Sequence, residues 1–201
     1  MRNFQRIAQG IDILPLLHSV RLQPNLWNQY TVRTSHPRSA HRVVDDIVLR
    51  YSKFDTGDDF IEKVCCSIDA VTYPAWSKLP FAQTVIFAVM ARVQGVHLGR
   101  CMITRVAPGI AIPLHTDRIA EAEEIFPDKI PPALYYERYH VVLQSAPGSI
   151  FKCGEETVAM APGEVWWFNN QIPHEVMNNS VEDRIHLIAD IRTATDDYVP
   201  K

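Results

Sequence analysis

From residue 97 to residue 191 apolar and polar positions alternate in short runs, and turn-forming residues separate the runs. Side chains two apart on an extended strand share a face, so this alternation marks strands with one side buried. The runs are His97 to Val106, Ile110 to His115, Arg138 to Gln144, Ile150 to Lys152, Glu156 to Met160, Glu164 to Phe168, Glu175 to Met177 and Arg184 to Ile191. The turn signals between them include Pro108-Gly109, Ala146-Pro147-Gly148, Cys153-Gly154, Ala161-Pro162-Gly163, Asn169-Asn170 and Asn178-Asn179-Ser180. Just upstream, Pro80 to Gln94 follows a helical repeat, with Phe81, Val85, Phe87, Val89 and Met90 as its apolar surface and Gly95 as its stop.

Short strands with no crossover helices between them predict an antiparallel fold, and a double-stranded β-helix of the jelly-roll or cupin-like kind fits best. At 201 residues one domain is expected, mainly β, with residues 1–96 as a helical and irregular scaffold and 97–192 as the core. Residues 1 to about 75 show no clean repeat. Within them Thr31 to Arg42 reads as a loop whose His36 and His41 are expected in solvent, and Asp55 to Asp59 as a solvated acidic turn without the ligand spacing of an EF-hand. Residues 118–137 break the strand pattern with acidic residues and three prolines, and read equally as a lid or substrate loop, with Tyr135 and Tyr136 as its pocket-facing members, or as a surface insertion without contact to substrate.

Composition changes this picture little. A net charge of −3 gives no general attraction to nucleic acid, no basic patch with interleaved aromatics appears, and the longest apolar run, Thr84 to Met90, is too short to span a bilayer. The four cysteines, Cys65, Cys66, Cys101 and Cys153, have no CxxC spacing, and the N-terminus lacks a signal-peptide core. A cytoplasmic protein with reduced thiols is expected. Neither oligomeric state nor the choice between a small-molecule and a peptide or protein partner is readable.

The chemistry lies in two stretches, IPLHTD (Ile112 to Asp117) and IPHEVMNNSVEDRIHLIADI (Ile172 to Ile191). His115 and Asp117 sit two apart and can face one centre. With His174 on a neighbouring strand they form a two-histidine, one-carboxylate set of the kind that holds non-haem Fe(II) on one side and leaves the opposite positions open. Arg184 and His186 share a face of their strand, as do Arg138 and His140 of theirs. A buried arginine is costly unless it meets a carboxylate, and a bound dicarboxylate would supply one through a bidentate contact. Arg100 and Arg105 have opposite parity, so one of them can enter the pocket; Arg105 joins Tyr135 and Tyr136 as a candidate substrate contact. Trp166 and Trp167 read as packing residues.

The run HTD, then RYHVVLQS, then GEVWWFNNQIPHEV followed by Arg184-Ile-His186-Leu-Ile, resembles the aspartyl/asparaginyl β-hydroxylase family of Fe(II)- and 2-oxoglutarate-dependent oxygenases, which also includes proline hydroxylases. The resemblance implies a double-stranded β-helix, His115 and His174 as iron ligands, and Arg184 on the distal carboxylate of 2-oxoglutarate. Arg138 and His140 would lie near the same co-substrate. It further implies hydroxylation of an aliphatic C–H bond, with dioxygen consumed and succinate and carbon dioxide released. Asp117 completes the ligand set that the family's animal protein hydroxylases lack, and favours hydroxylation over halogenation. Two other classes remain open: a cupin-like metalloenzyme that does not use 2-oxoglutarate, and a non-catalytic jelly-roll binding or sensing module.

Overall fold

The structure, a computed structural model, describes residues 3–37, 39–53, 67–117 and 132–194, together with Glu124 and Asp128. The acidic turn at 55–59, Cys65, Cys66 and nearly all of the first part of the expected lid, 118–131, lie outside the described residues. Among the described residues, eleven strands build two antiparallel sheets. They are β1 (Phe4–Ala8), β2 (Asp45–Tyr51), β3 (Val71–Thr72), β4 (Gly95–Val106), β5 (Ala111–His115), β6 (Glu137–Gln144), β7 (Ser149–Cys153), β8 (Glu156–Val158), β9 (Val165–Phe168), β10 (His174–Asn178) and β11 (Arg184–Thr193). The larger sheet runs β1-β9-β6-β11-β4-β2-β3 and the smaller β5-β10-β7-β8. This mainly β, jelly-roll arrangement is the expected class, and the first 96 residues also supply β1, β2 and β3 of the larger sheet.

Alternation along β11 decides what each layer holds. Ile185, Leu187, Ala189 and Ile191 enter the larger apolar core, packed against α1 (Leu14–Arg21) through Leu16, Leu17 and Val20, and against α4 (Pro80–Arg92). Two short helices, α2 (Val32–Ser35) and α3 (Pro74–Lys78), precede α4, and α5 (Pro132–Tyr135) precedes β6. The other face of the larger sheet meets the smaller one, where Val142, Phe151, Phe168, Ile112 and Val176 form a second core.

Three local expectations change. The buried stripe of α4 is Ala82, Val85, Ile86 and Val89, at i, i+3, i+4 and i+7, while Phe81 and Phe87 are exposed. Gly95 does not stop the helix: Gln94 turns the chain at φ 56, and Gly95 opens β4 because a Cβ there would stand 2.5 Å from the Ile191 Cγ2. The N-terminal stretch without a clean repeat contains regular elements: β2 is buried along most of its length and so lacks a one-sided alternation, and β1, with Gln5 and Arg6 exposed, is too short to display one.

Candidate metal centre

β5 is the edge strand of the smaller sheet, which is where Pro113 is tolerated, because a proline has no N–H for a second neighbour. Its partner β10 sets His174 directly opposite His115, with ring centroids 4.3 Å apart. Each ring is fixed by its own strand. His115 Nδ1 lies 2.7 Å from the Pro113 carbonyl and His174 Nδ1 2.9 Å from the Ile172 carbonyl. A carbonyl only accepts, so each Nδ1 carries a proton, and in the neutral ring the lone pair is on Nε2. His115 Nε2 is buried without a partner, and His174 Nε2 is 3.8 Å from Asp117 Oδ1, too far for a hydrogen bond.

Asp117 is held just past the end of β5, its N–H donating to the Asn170 carbonyl at 3.3 Å. Arg138 Nη1 donates to its Oδ2 at 2.6 Å, and the same guanidinium grips Asp190 through Nε and Nη2 at 2.7 and 2.9 Å. Burial alone would raise the Asp117 carboxyl, but Arg138, followed by His174 and His115, brings it below its ordinary value. His115 is pushed down to about 4, by burial first and His174 next, so its imidazole is neutral at pH 7. Two oriented lone pairs and one ionised carboxylate are a donor set that fits a divalent ion.

β11 brings a second group of side chains into the interior. Arg184 is buried, with Nη2 lacking any partner among the described residues, and its guanidinium lies 5.7 Å over the Phe151 ring. Burial alone lowers it to about 9, with no carboxylate countering the effect. Its neighbours His186 and His140 approach each other at 3.3 Å through their Nδ1 atoms, and His186 Nε2 is a further buried atom without a partner. Both imidazoles sit well below their ordinary value, through burial and then the charge of Arg184.

The remaining candidates go elsewhere. Arg105 lies on the outer face of β4, paired with Asp45 at 2.7 Å and stacked 4.6 Å over Trp27, so it does not enter the interior. Arg100, of the opposite parity, does face inward, donating to Ser52 Oγ at 3.0 Å beside the Tyr51 ring. Tyr136 is buried against Gly99, and its hydroxyl donates to the Ile68 carbonyl at 2.7 Å, while the Tyr135 hydroxyl accepts from Arg192 at 3.0 Å. Both rings pack on His97, at the beginning of β4.

The stretch expected to be a solvated loop, by contrast, reaches the centre. Ring nitrogens of His41 and His115 and a carboxylate oxygen of Asp117 all lie within 4.8 Å of one another. Arg33, from α2, pairs with the buried Asp46 at 2.8 and 2.9 Å and with Thr104 at 3.1 Å. Periodicity carried no trace of this, and the only signal was the concentration of Arg33, His36, Arg38, His41 and Arg42 in one polar run. A cleft of about 570 Å³ opens beside His115, between Pro37, Ser39, Ala40, Arg42 and Val43 on one side and Pro113-Leu114 on the other, with Val43 and Leu114 exposed on it.

A family model described as aspartyl/asparaginyl β-hydroxylase matches residues 70–194, more than half of the chain. Among solved structures, an oxidoreductase of the 2OG-Fe(II) oxygenase family from Burkholderia pseudomallei aligns with a TM-score of 0.52 at 15% identity, covering 94% of this chain and 84% of that one. A Pseudomonas putida prolyl-4-hydroxylase aligns with a TM-score of 0.51 at 13% identity, covering 96% and 94%. At these identities the likeness speaks for the fold. Among curated proteins nothing matches the sequence. No helix among the described residues is long and apolar enough to cross a membrane.

Proposed function

The chain belongs to the aspartyl/asparaginyl β-hydroxylase family, and from that premise we propose that it is an Fe(II)- and 2-oxoglutarate-dependent dioxygenase hydroxylating an aliphatic C–H bond of an amino acid, a peptide or protein side chain, or a small carboxylate. The observation that carries the reading is the pairing of two unmet needs inside one barrel. From the smaller sheet His115 and His174 offer lone pairs beside Asp117; from the larger, Arg184 is a buried cation with no carboxylate partner among the described residues. A keto dicarboxylic acid bound to a metal would meet both.

Iron held by His115, His174 and Asp117 would supply the redox chemistry that converts 2-oxoglutarate, dioxygen and a C–H bond into succinate, carbon dioxide and an alcohol. The chain's own residues do the positioning. The Pro113 and Ile172 carbonyls lock the imidazole tautomers, and Arg138 keeps Asp117 ionised with one oxygen engaged and the other turned towards His174. Arg184 receives the distal carboxylate, and His186 Nε2, two residues along the same face, is placed to donate to it. His140 sets the orientation of His186 through their shared contact. Phe151, Phe168 and Val142 keep water from the interior between the two sheets.

Anaerobic visible absorption tests the reading. Wild-type protein given Fe(II) and then 2-oxoglutarate is expected to develop a charge-transfer band that needs both additions. His174→Ala should lose the band, and Arg184→Ala should require more co-substrate to reach it. Iron uptake without the band would point to a cupin-like metalloenzyme, and no iron uptake to a binding module.

A further inference from the structure

We propose that His41 is a fourth protein donor to the metal, occupying a position that the other three leave open and giving it up when 2-oxoglutarate binds. The inference rests on the metal reading above and adds a residue to it. His41 lies in a short 3-10 turn, Ala40–Val43, that packs on β5, and its backbone N–H is tied to Ser39 Oγ at 3.1 Å. That turn brings the ring edge-on to His115, with centroids 4.8 Å apart and planes at 89°.

Two features give this approach chemical meaning. The nitrogens of His41 and His115 and the Asp117 carboxylate form a group compact enough to surround one ion. In addition, His41 Nδ1 and His115 Nε2 are both buried with no hydrogen-bond partner. A buried polar nitrogen left unmet destabilises the fold, and here two such atoms belong to facing rings at one centre. A shared cation satisfies both at once, which packing alone does not.

Counting positions makes the fourth donor temporary. An octahedral ion has six positions, of which His115, His174 and Asp117 take three. A chelating keto acid takes two and dioxygen one, leaving none for His41. The three permanent donors sit on or just beyond paired strands, whereas His41 sits on a turn that forms one wall of the open cleft, the element best able to yield.

The test uses Co(II) as a probe of coordination. Co(II) is titrated into wild type, His41→Ala, His41→Gln and His174→Ala by calorimetry and visible absorption, without and then with saturating 2-oxoglutarate. Without 2-oxoglutarate the His41 variants are expected to bind Co(II) more weakly, on the order of tenfold, and to show an altered visible band. With it, their bands should coincide with that of wild type. His41→Gln retains bulk and an amide, so it reports even if the alanine variant fails to fold. Affinity and band unchanged in both folded His41 variants, with His174→Ala impaired, would overturn the role of His41 alone. Bands that still differ with 2-oxoglutarate present would overturn its displacement. If wild type takes up no Co(II), the metal reading falls and this inference with it.

Discussion

Arg184 concentrates a local cost to the fold in a single residue. Its guanidinium is buried, over an aromatic ring and without a carboxylate, and burial alone drags it down to about 9. An unpaired buried charge destabilises the fold that holds it. Arg184→Met, which retains volume and removes charge, is therefore expected to stabilise the ligand-free protein by about 1 kcal/mol or more, roughly 2–4 °C at this chain length. On the proposed function 2-oxoglutarate is expected to raise the melting temperature of wild type and to leave that of this variant unchanged. A lower melting temperature in differential scanning calorimetry would mean that Arg184 is already compensated. Arg138 is the opposite case, a cation between Asp117 and Asp190. Arg138→Met strands two buried carboxylates, and urea denaturation should show a loss of about 3–5 kcal/mol. Asp117→Ala leaves the Arg138–Asp190 pair in place, so it is expected to fold normally by circular dichroism while turnover disappears.

At the scale of elements, alternation was the legible signal and close approach the hidden one. The strands from His97 onward could be read because one face of each is apolar, and the parity of β11 already separated Arg184 and His186 from Ile185 and Leu187. That His115 and His174 could meet was legible for the same reason: both belong to strands, and a strand fixes the direction of its side chains. The turn carrying His41 has no period, so nothing local distinguishes a loop in solvent from one folded onto β5; only tertiary packing decides. Arg105 failed as a pocket residue because parity gave two faces without saying which was the interior, and Asp45 and Trp27 on the outer side settled it. Glycine positions were hidden in another way. Gly99 sits mid-strand because the Tyr136 ring lies where its side chain would be, with ring atoms 2.7–2.9 Å from an added Cβ. Gly99→Ala is expected to displace that ring and cost about 1–3 kcal/mol in chemical denaturation, whereas Gly109→Ala, with open space around the added carbon, tests only the positive φ of 76°.

Across the whole molecule, buried imidazoles make the fold sensitive to acid. His140 and His186 are held well below the ordinary value of 6.5, by burial first and Arg184 next. The unfolded chain accepts protons near that pH and the folded one refuses them until much lower, so stability is full above it and declines as pH falls below it. Melting temperatures of the ligand-free protein should be nearly flat above about pH 7 and fall towards about pH 5, with a shallower fall in His186→Gln; a protein that gains stability on acidification would contradict the assignment. The two sheets also divide the labour. Both histidines of the centre belong to the smaller sheet and Arg184 to the larger, so an acid that spans them is gauged by the width of the barrel. On the proposed function the barrel would work as a ruler: oxaloacetate, one methylene shorter than 2-oxoglutarate, would reach one wall or the other without bracing both, and molecular length rather than charge would become the quantity that the protein measures.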